Sequence, residues 1–415
     1  MEAEDGVTRS VLAERLSGVG EVAGVVSLLA WGEGDGEEAL AASLALVQAY
    51  GDVGLSAPVW VLTRGAGGVG GDDVVRAGQV ALWAWGQVVG LELPGVWGGL
   101  VDVPAEWDGR VSSGLVGVLA AGEGEDQVAV RSSGVYGRRL VRAPLPAGAG
   151  AGAGVVRGFV PRGTVLVTGG TGGVGGHVAR WLAGAGAERL VLLSRRGGEA
   201  EGVGELVEEL GGLGAEVEVV ACDVTDRAAV ERVVAGIPAE YPLSAVFHTA
   251  GVADYAELLD ATPEHFEQVM AARVEGARYL DELTGGMELD AFVVFSSGAA
   301  VWGSGGNGAN AAAGGFLDGL VRERRARGLA GTSVSWGGWQ ATGMAEGETA
   351  AQLSRRGVRL LDPAAATHAL RQVLEQDEVS VTVADMDWAL FTPGYAMARR
   401  RPLLEDIPEA AEALR

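Results

Sequence analysis

The stretch TVLVTGGTGGVGGHVARWLAGAG, residues 164–186, decides how the rest of the chain is read. A β-branched apolar run leads through a glycine-rich turn into an apolar-periodic helix. Glycines at 169, 173 and 175 let the backbone approach a pyrophosphate, and the following helix N-terminus stabilises its charge. Thr168, Gly169, Gly170, Thr171, Gly172, Gly173, Val174 and Gly175 are therefore the first candidate nucleotide ligands. With 69 glycines in 415 residues, such a run carries weight only if its surroundings agree.

They do agree. The strand RLVLLSRRG ends in Ser194, Arg195 and Arg196, where an adenosine 2′-phosphate would lie, and arginine there selects NADP over NAD. EVEVVACDVTD sets Asp223 and Val224 at a strand end, with Asp223 placed to meet an adenine amine. AVFHTAG carries Thr249, Ala250 and Gly251 against the same cofactor, and AFVVFSS and TSVSWGGW add two more apolar strands. Helical patterns separate all of these, which predicts a seven-strand doubly wound parallel sheet of Rossmann-like type.

Upstream, VVSLLA, PVWVLT, GGLVDV, QVAVR and GVYGRRLVR read as strands, with EEALAASLALVQAY and AGQVALWAWGQVVGLEL as helices. This alternation predicts a second, truncated Rossmann-like parallel sheet. Its first turn, WGEGDGEE, carries Glu33, Asp35 and Glu37, which repel phosphate, so this half reads as structural. The Gly/Ala/Pro-rich run at 143–162 cannot bury a face and reads as a break between halves. The expected divisions are a structural subdomain at 1–150, a linker at 151–162, a nucleotide-binding subdomain at 163–400 with a lid near 343–358, and a tail at 401–415.

Composition narrows the function classes. A net charge of −24 argues against nucleic-acid binding, which needs clustered cations. One cysteine excludes a disulfide framework within the chain, and the four histidines show no metal-ligand spacing. No apolar run is long enough to span a bilayer, and the acidic start MEAEDGVTRS is unlike a signal peptide. A cytoplasmic protein without metal is expected.

These motifs resemble the short-chain dehydrogenase/reductase superfamily and, more narrowly, the ketoreductase domain of a modular type I polyketide synthase. LWAWGQVVGLELPGVWGGLVDVP and VAVRSSGVYGRRLVRAP resemble its first subdomain. VLVTGGTGGVGGHVARWLA, CDVTD, HTAG, FSSGAAVWGSGG, GFLDGL and SWGGW resemble its second. The resemblance implies a piece of a larger synthase, with neighbouring synthase domains and a carrier protein bearing the acyl chain as partners.

In that family a serine polarises the β-ketone, a tyrosine thirteen positions on donates the proton, an asparagine four further orders a water, and an upstream lysine lowers the tyrosine pKa. Here the serine is Ser297, the tyrosine position is Asn310, the asparagine position is Gly314 and the lysine position is Arg273. Asn310 lies in GSGGNGANAAAGGFLDG, residues 303–319, which holds no tyrosine, lysine or histidine. An amide cannot supply the proton that a nascent alkoxide needs, and general acid catalysis is worth about 10²–10⁴. The resemblance therefore implies a redox-inactive domain that has kept its NADP(H) pocket, a combination associated in the family with epimerising the α-methyl centre of 2-methyl-3-ketoacyl chains. A structural scaffold and a slow, rescued reductase are the alternatives. The epimerising base stays open among a bound water, His265 and Tyr255. Trp302 accompanies one direction of ketone entry in active relatives, and Met344 is expected to fill the acyl groove.

Overall fold

Two sheets built mainly of parallel strands organise the chain, and the computed structural model describes residues 7–32, 36–70, 73–121, 124–143, 159–252, 254–340 and 347–415. Glu33, Asp35, most of the Gly/Ala-rich run, the first part of the expected lid and Met344 lie outside these residues.

The first sheet follows helix α1 (Arg9–Ser17) and contains β1 (Val25–Ser27), β2 (Val59–Thr63), β3 (Trp97–Asp102), β4 (Gln127–Arg131) and β5 (Gly134–Gly137), paired in that order. Helices α2 (Glu37–Val53), α3 (Ala77–Glu92) and α4 (Gly109–Ala120) make its crossovers. Strands β1 to β4 are parallel, whereas β5 runs antiparallel to β4. Only Ser132 and Ser133 separate those two strands, too few residues for a parallel crossover.

The second sheet has the order β13-β11-β10-β9-β6-β7-β8, all parallel. Its elements are β6 (Thr164–Thr168), α5 (Gly173–Gly184), β7 (Arg189–Ser194), α6 (Val203–Gly212), β8 (Glu216–Ala221), α7 (Arg227–Ala235), β9 (Leu243–His248), α8 (Pro263–Thr284), β10 (Ala291–Ser297), α9 (Ala299–Trp302), α10 (Gly308–Ala326), β11 (Thr332–Trp336), α11 (Gly347–Arg355), β12 (Val358–Arg359), α12 (Pro363–Glu375) and β13 (Ser380–Val383). A short strand β14 (Asp385–Met386) pairs with β12, and α13 (Trp388–Tyr395) and α14 (Pro408–Ala413) end the chain. Central strands β6 and β9 are buried throughout, as continuous apolar runs covered by helices on both faces require. Between β6 and β9 the crossovers leave in opposite directions, which opens a crevice at the strand C-termini.

One apolar core joins the halves, with Leu44, Val47, Leu82 and Val88 from the first and Val246, Val274, Phe292 and Leu317 from the second. Its centre is the contact of α3 with α10. A Cβ at Gly315 would sit 2.6 Å from the Ala84 Cβ, and one at Gly319 would sit 2.5 Å from the Ala77 Cα. The small residues of α10 thus let it reach the α3 backbone.

Candidate active site

Two adjoining clefts open at the C-terminal ends of β6, β9 and β10, and Val174 and Thr249 line both. The first, about 740 Å³, is walled by Gly169, Thr171, Gly172, Gly173, Val174, Gly175, Ser194, Arg195, Asp223, Val224, Thr249, Ala250 and Gly251. Its turn is glycine for steric reasons. Gly169 has φ of +65°, and a Cβ at Gly175 would lie 2.1 Å from the Gly169 carbonyl oxygen. Asp223 accepts hydrogen bonds from the Thr225 backbone N–H at 3.0 Å and from the Thr225 hydroxyl at 2.8 Å. These bonds, the backbone one foremost, hold its carboxyl below the usual range.

Two predicted ligands lie beneath the cleft instead of lining it. The Gly170 N–H donates to the Leu193 carbonyl at 3.1 Å, and a Cβ there would press on Leu192. The Thr168 hydroxyl is 2.8 Å from His248 Nδ1. His248 Nε2 faces the Arg273 carbonyl at 3.0 Å, which can only accept, so Nε2 carries the proton and Nδ1 accepts from Thr168. Burial pushes His248 down to about 4. Arg196, Cys222 and Thr225 also line the cleft, with Gln268, Ala271 and Ala272 from α8. The α8 positions carry no motif, and only helix packing brings them there.

The second cleft, about 670 Å³, brings together Ser297, Asn310, Arg273 and Trp302. The Asn310 amide nitrogen donates to Ser297 Oγ at 3.4 Å, while the Ala299 N–H donates to the same oxygen at 3.2 Å. Asn310 is 6% exposed, and its carbonyl oxygen has no hydrogen-bond partner. Gly314 packs behind this wall, where a Cβ would meet the Ala300 Cβ and Ser296 Oγ at 2.9 Å each. An asparagine therefore does not fit at 314 without displacement of α9. Arg273 is buried across Gly251, whose Cβ would fall 2.5 Å from its Nε, and burial pushes the guanidinium down to about 10. Trp302 packs edge-on against Phe391 at 6.1 Å, and Phe295, Trp336 and Trp339 form an aromatic wall that sequence reading passed over. Thr349, Gln352 and Leu353 of α11 complete the lining on the side of the expected lid.

Two loops meet over this cleft. The Ala256 N–H donates to the Gly306 carbonyl at 2.9 Å. Glu92, at the end of α3, accepts from the N–H groups of Leu258 and Gly306 at 2.7 Å each. Gln48 donates to the carbonyls of Leu258 and Ala261 at 2.8 and 2.7 Å. The first half of the molecule thus anchors the loops that wall the second cleft.

The parallel seven-strand sheet with a glycine turn at its switch point defines a Rossmann-like short-chain dehydrogenase/reductase fold. The KR domain family matches residues 163–341. A structure described as an A1-type ketoreductase superposes with a TM-score of 0.94 at 46% identity, covering 99% of this chain and 88% of that one. A-type ketoreductases from a modular polyketide synthase give 0.93 at 46% identity, covering 98% and 88%. Polyketide synthase GfsA of Streptomyces halstedii is 47% identical over 98% of this chain, which spans only 6% of that synthase. The chain belongs to the ketoreductase domain family of modular polyketide synthases.

That family normally binds NADP(H), and the first cleft fits it. At Gly175 a Cβ would strike the Gly169 carbonyl oxygen, so the turn presents backbone alone to the cleft where a pyrophosphate would lie. The buried Ser194 hydroxyl lacks a partner beside the exposed Arg195 and Arg196, where a phosphate can meet all three. Among the described residues no cluster of His, Cys, Asp or Glu could hold a metal, and no helix is long and apolar enough to cross a membrane.

Proposed function

We propose that this ketoreductase domain is redox-silent and epimerises the α-methyl centre of a 2-methyl-3-ketoacyl thioester held on an acyl carrier protein. The observation that carries the reading is the pairing of Asn310 with Ser297 in the second cleft, with an amide in the proton donor's place. A bound nicotinamide nucleotide supplies a hydride, and the Gly169–Gly175 turn with Ser194 and Arg195 would hold it. With an amide in place of the acid at 310, beside the Ser297 that meets the ketone oxygen, the alkoxide has no proton donor at that oxygen and that hydride is not consumed.

Enolisation asks less of the site. The α-proton lies between two carbonyls, and its removal puts charge on the ketone oxygen. The Ser297 hydroxyl, whose oxygen already accepts from Ala299 and Asn310, is free to donate to that oxygen. The Asn310 amide has a second N–H to add. The aromatic wall of Phe295, Trp336 and Trp339 limits water around the enolate. Carrier protein and neighbouring synthase domains are the partners this reading requires.

The test follows loss of an α-deuterium from a carrier-bound 2-methyl-3-ketoacyl thioester without nicotinamide. Exchange above buffer, lowered about 10²–10³-fold by Ser297→Ala, is expected. Exchange at the buffer rate overturns the reading in favour of a scaffold, and NADPH consumption with that substrate overturns it in favour of a reductase.

A further inference from the structure

We propose that Tyr255 is the catalytic residue that carries the α-proton, acting in the cleft lined by Ser297, Asn310 and the buried guanidinium of Arg273. This rests on the epimerase reading and supplies the base that reading lacks.

Among the described residues of that cleft, only tyrosine and arginine side chains titrate, and arginine does not give up its proton in a protein. Two tyrosines remain. Tyr395 is 7% exposed, its ring stacks on Phe391 at 5.1 Å, and the Arg401 guanidinium lies 5.0 Å from it. Its hydroxyl is buried without a hydrogen-bond partner, and burial pushes its pKa far up. Tyr395 is therefore cut off from the water with which a proton carrier must exchange. Tyr255 is 49% exposed yet lines the cleft, so it reaches both substrate and solvent. His265 is not among the cleft residues. Its Nδ1 lies 3.5 Å from an Asp254 carboxylate oxygen, and its backbone N–H binds the Thr262 cap at the start of α8.

The loop bearing Tyr255 is held at its neighbours. Ala256 is bonded to Gly306, and Leu258 is bonded to both Glu92 and Gln48. Arg273 occupies the position where the family's lysine supports its tyrosine, and here its charge acts on Tyr255. Partial burial raises the Tyr255 pKa above the ordinary phenol range and Arg273 offsets only part of that rise, so the phenolate that acts is the minor form, in exchange with water. The cation at 273 thus still has a phenol to serve, one on another loop.

In the step, the ionised Tyr255 oxygen takes the α-hydrogen as a proton. The C–H bond breaks, an O–H bond forms, and the C–H electron pair moves into the enolate. Charge passes from phenolate to ketone oxygen, where Ser297 and Asn310 donate hydrogen bonds. The phenol exchanges its proton with water through its exposed face. Return of that proton to carbon restores the phenolate, and return after the enolate has turned over inverts the centre. Atoms and charge balance without any redox partner.

The experiment compares the 415-residue chain with Tyr255→Phe and Tyr255→Ser, using the α-deuterated carrier-bound thioester without nicotinamide. Binding of a 2,2-dimethyl-3-ketoacyl thioester, which has no α-proton to lose, reports whether the cleft is intact. The expected result is exchange at least about 100-fold slower in both variants, with analogue binding within a few-fold of the unaltered chain. Exchange at the unaltered rate in either variant overturns the assignment, leaves a water as base, and leaves the epimerase reading standing. Exchange at the buffer rate in the unaltered chain overturns both.

Discussion

The two clefts share Val174 and Thr249 but are built in different ways. The nucleotide cleft is drawn mostly from the C-terminal ends of consecutive strands β6 to β9, and its shape depends on backbone approaching backbone. The reacting cleft gathers residues from Leu91 to Tyr395, and its character depends on side chains. A polar substitution in the second therefore alters chemistry while leaving the first whole. In this chain the glycine turn is complete, while the acid's position holds an amide.

The severest test of that separation is Glu92, whose burial raises its pKa and whose carboxylate serves two N–H groups. Glu92→Ala strands both donors. At about 1–3 kcal/mol for each unsatisfied group, a loss of roughly 4 kcal/mol in denaturant unfolding is expected. Exchange should fall with it, because Leu258 and Gly306 belong to the loops over the reacting cleft. Under conditions where the variant is folded, NADP(H) affinity should stay within about twofold of the unaltered chain. Equal loss of both would break the comparison.

His248 sits where the clefts are joined, between Thr168 of the nucleotide strand and the carbonyl of Arg273. Its native pKa is held to about 4 against 6.5 for an ordinary histidine. Between those values the unfolded chain binds the extra proton and the native chain does not, so stability is complete above pH 6.5 and falls as the pH drops towards 4. The contribution is about 3 kcal/mol. Unfolding measured against His248→Gln should show that much less acid sensitivity in the variant, and equal slopes would contradict it.

The same contrast governs what could be read without coordinates. The nucleotide cleft was legible because its spacing lies within single strand–turn–helix units, so residues 169, 171–175, 194–195, 223–224 and 249–251 line it as their motifs suggest. Thr168 and Gly170 carry the motif yet serve packing, which no spacing rule separates. Four parts of the fold were harder. Strand β13 has only four half-buried residues, and α1 buries only Leu12. Helix α4 has a glycine- and serine-rich sequence that hides its apolar face, although Asp108 caps it. The antiparallel β5 follows from a two-residue turn that the repeated pattern obscured.

The small residues of 303–319 show a subtler limit. They look like an emptied catalytic helix, yet Gly315 and Gly319 are needed for contact with α3. Arg273 on α8 likewise gave no sign in the sequence of its influence on Tyr255, because no motif links that helix face to the loop before it.

The smallest expected effect lies at Arg195, exposed at the rim of the nucleotide cleft. Its charge reaches Asp223 and helps hold that carboxyl down, but among the described residues no ion pair locks the guanidinium, so it is available to a phosphate. Arg195→Ala should weaken NADP(H) by about 1 kcal/mol, roughly fivefold, because Arg196 and Ser194 remain. NAD(H), which lacks the 2′-phosphate, should be unaffected, and the two titrations together check the assignment. The α-deuterium rate without nucleotide should not change at all. If it falls in step with NADP(H) affinity, the two clefts act as one site, and the retained turn has a part in the chemistry that the reacting cleft alone does not explain.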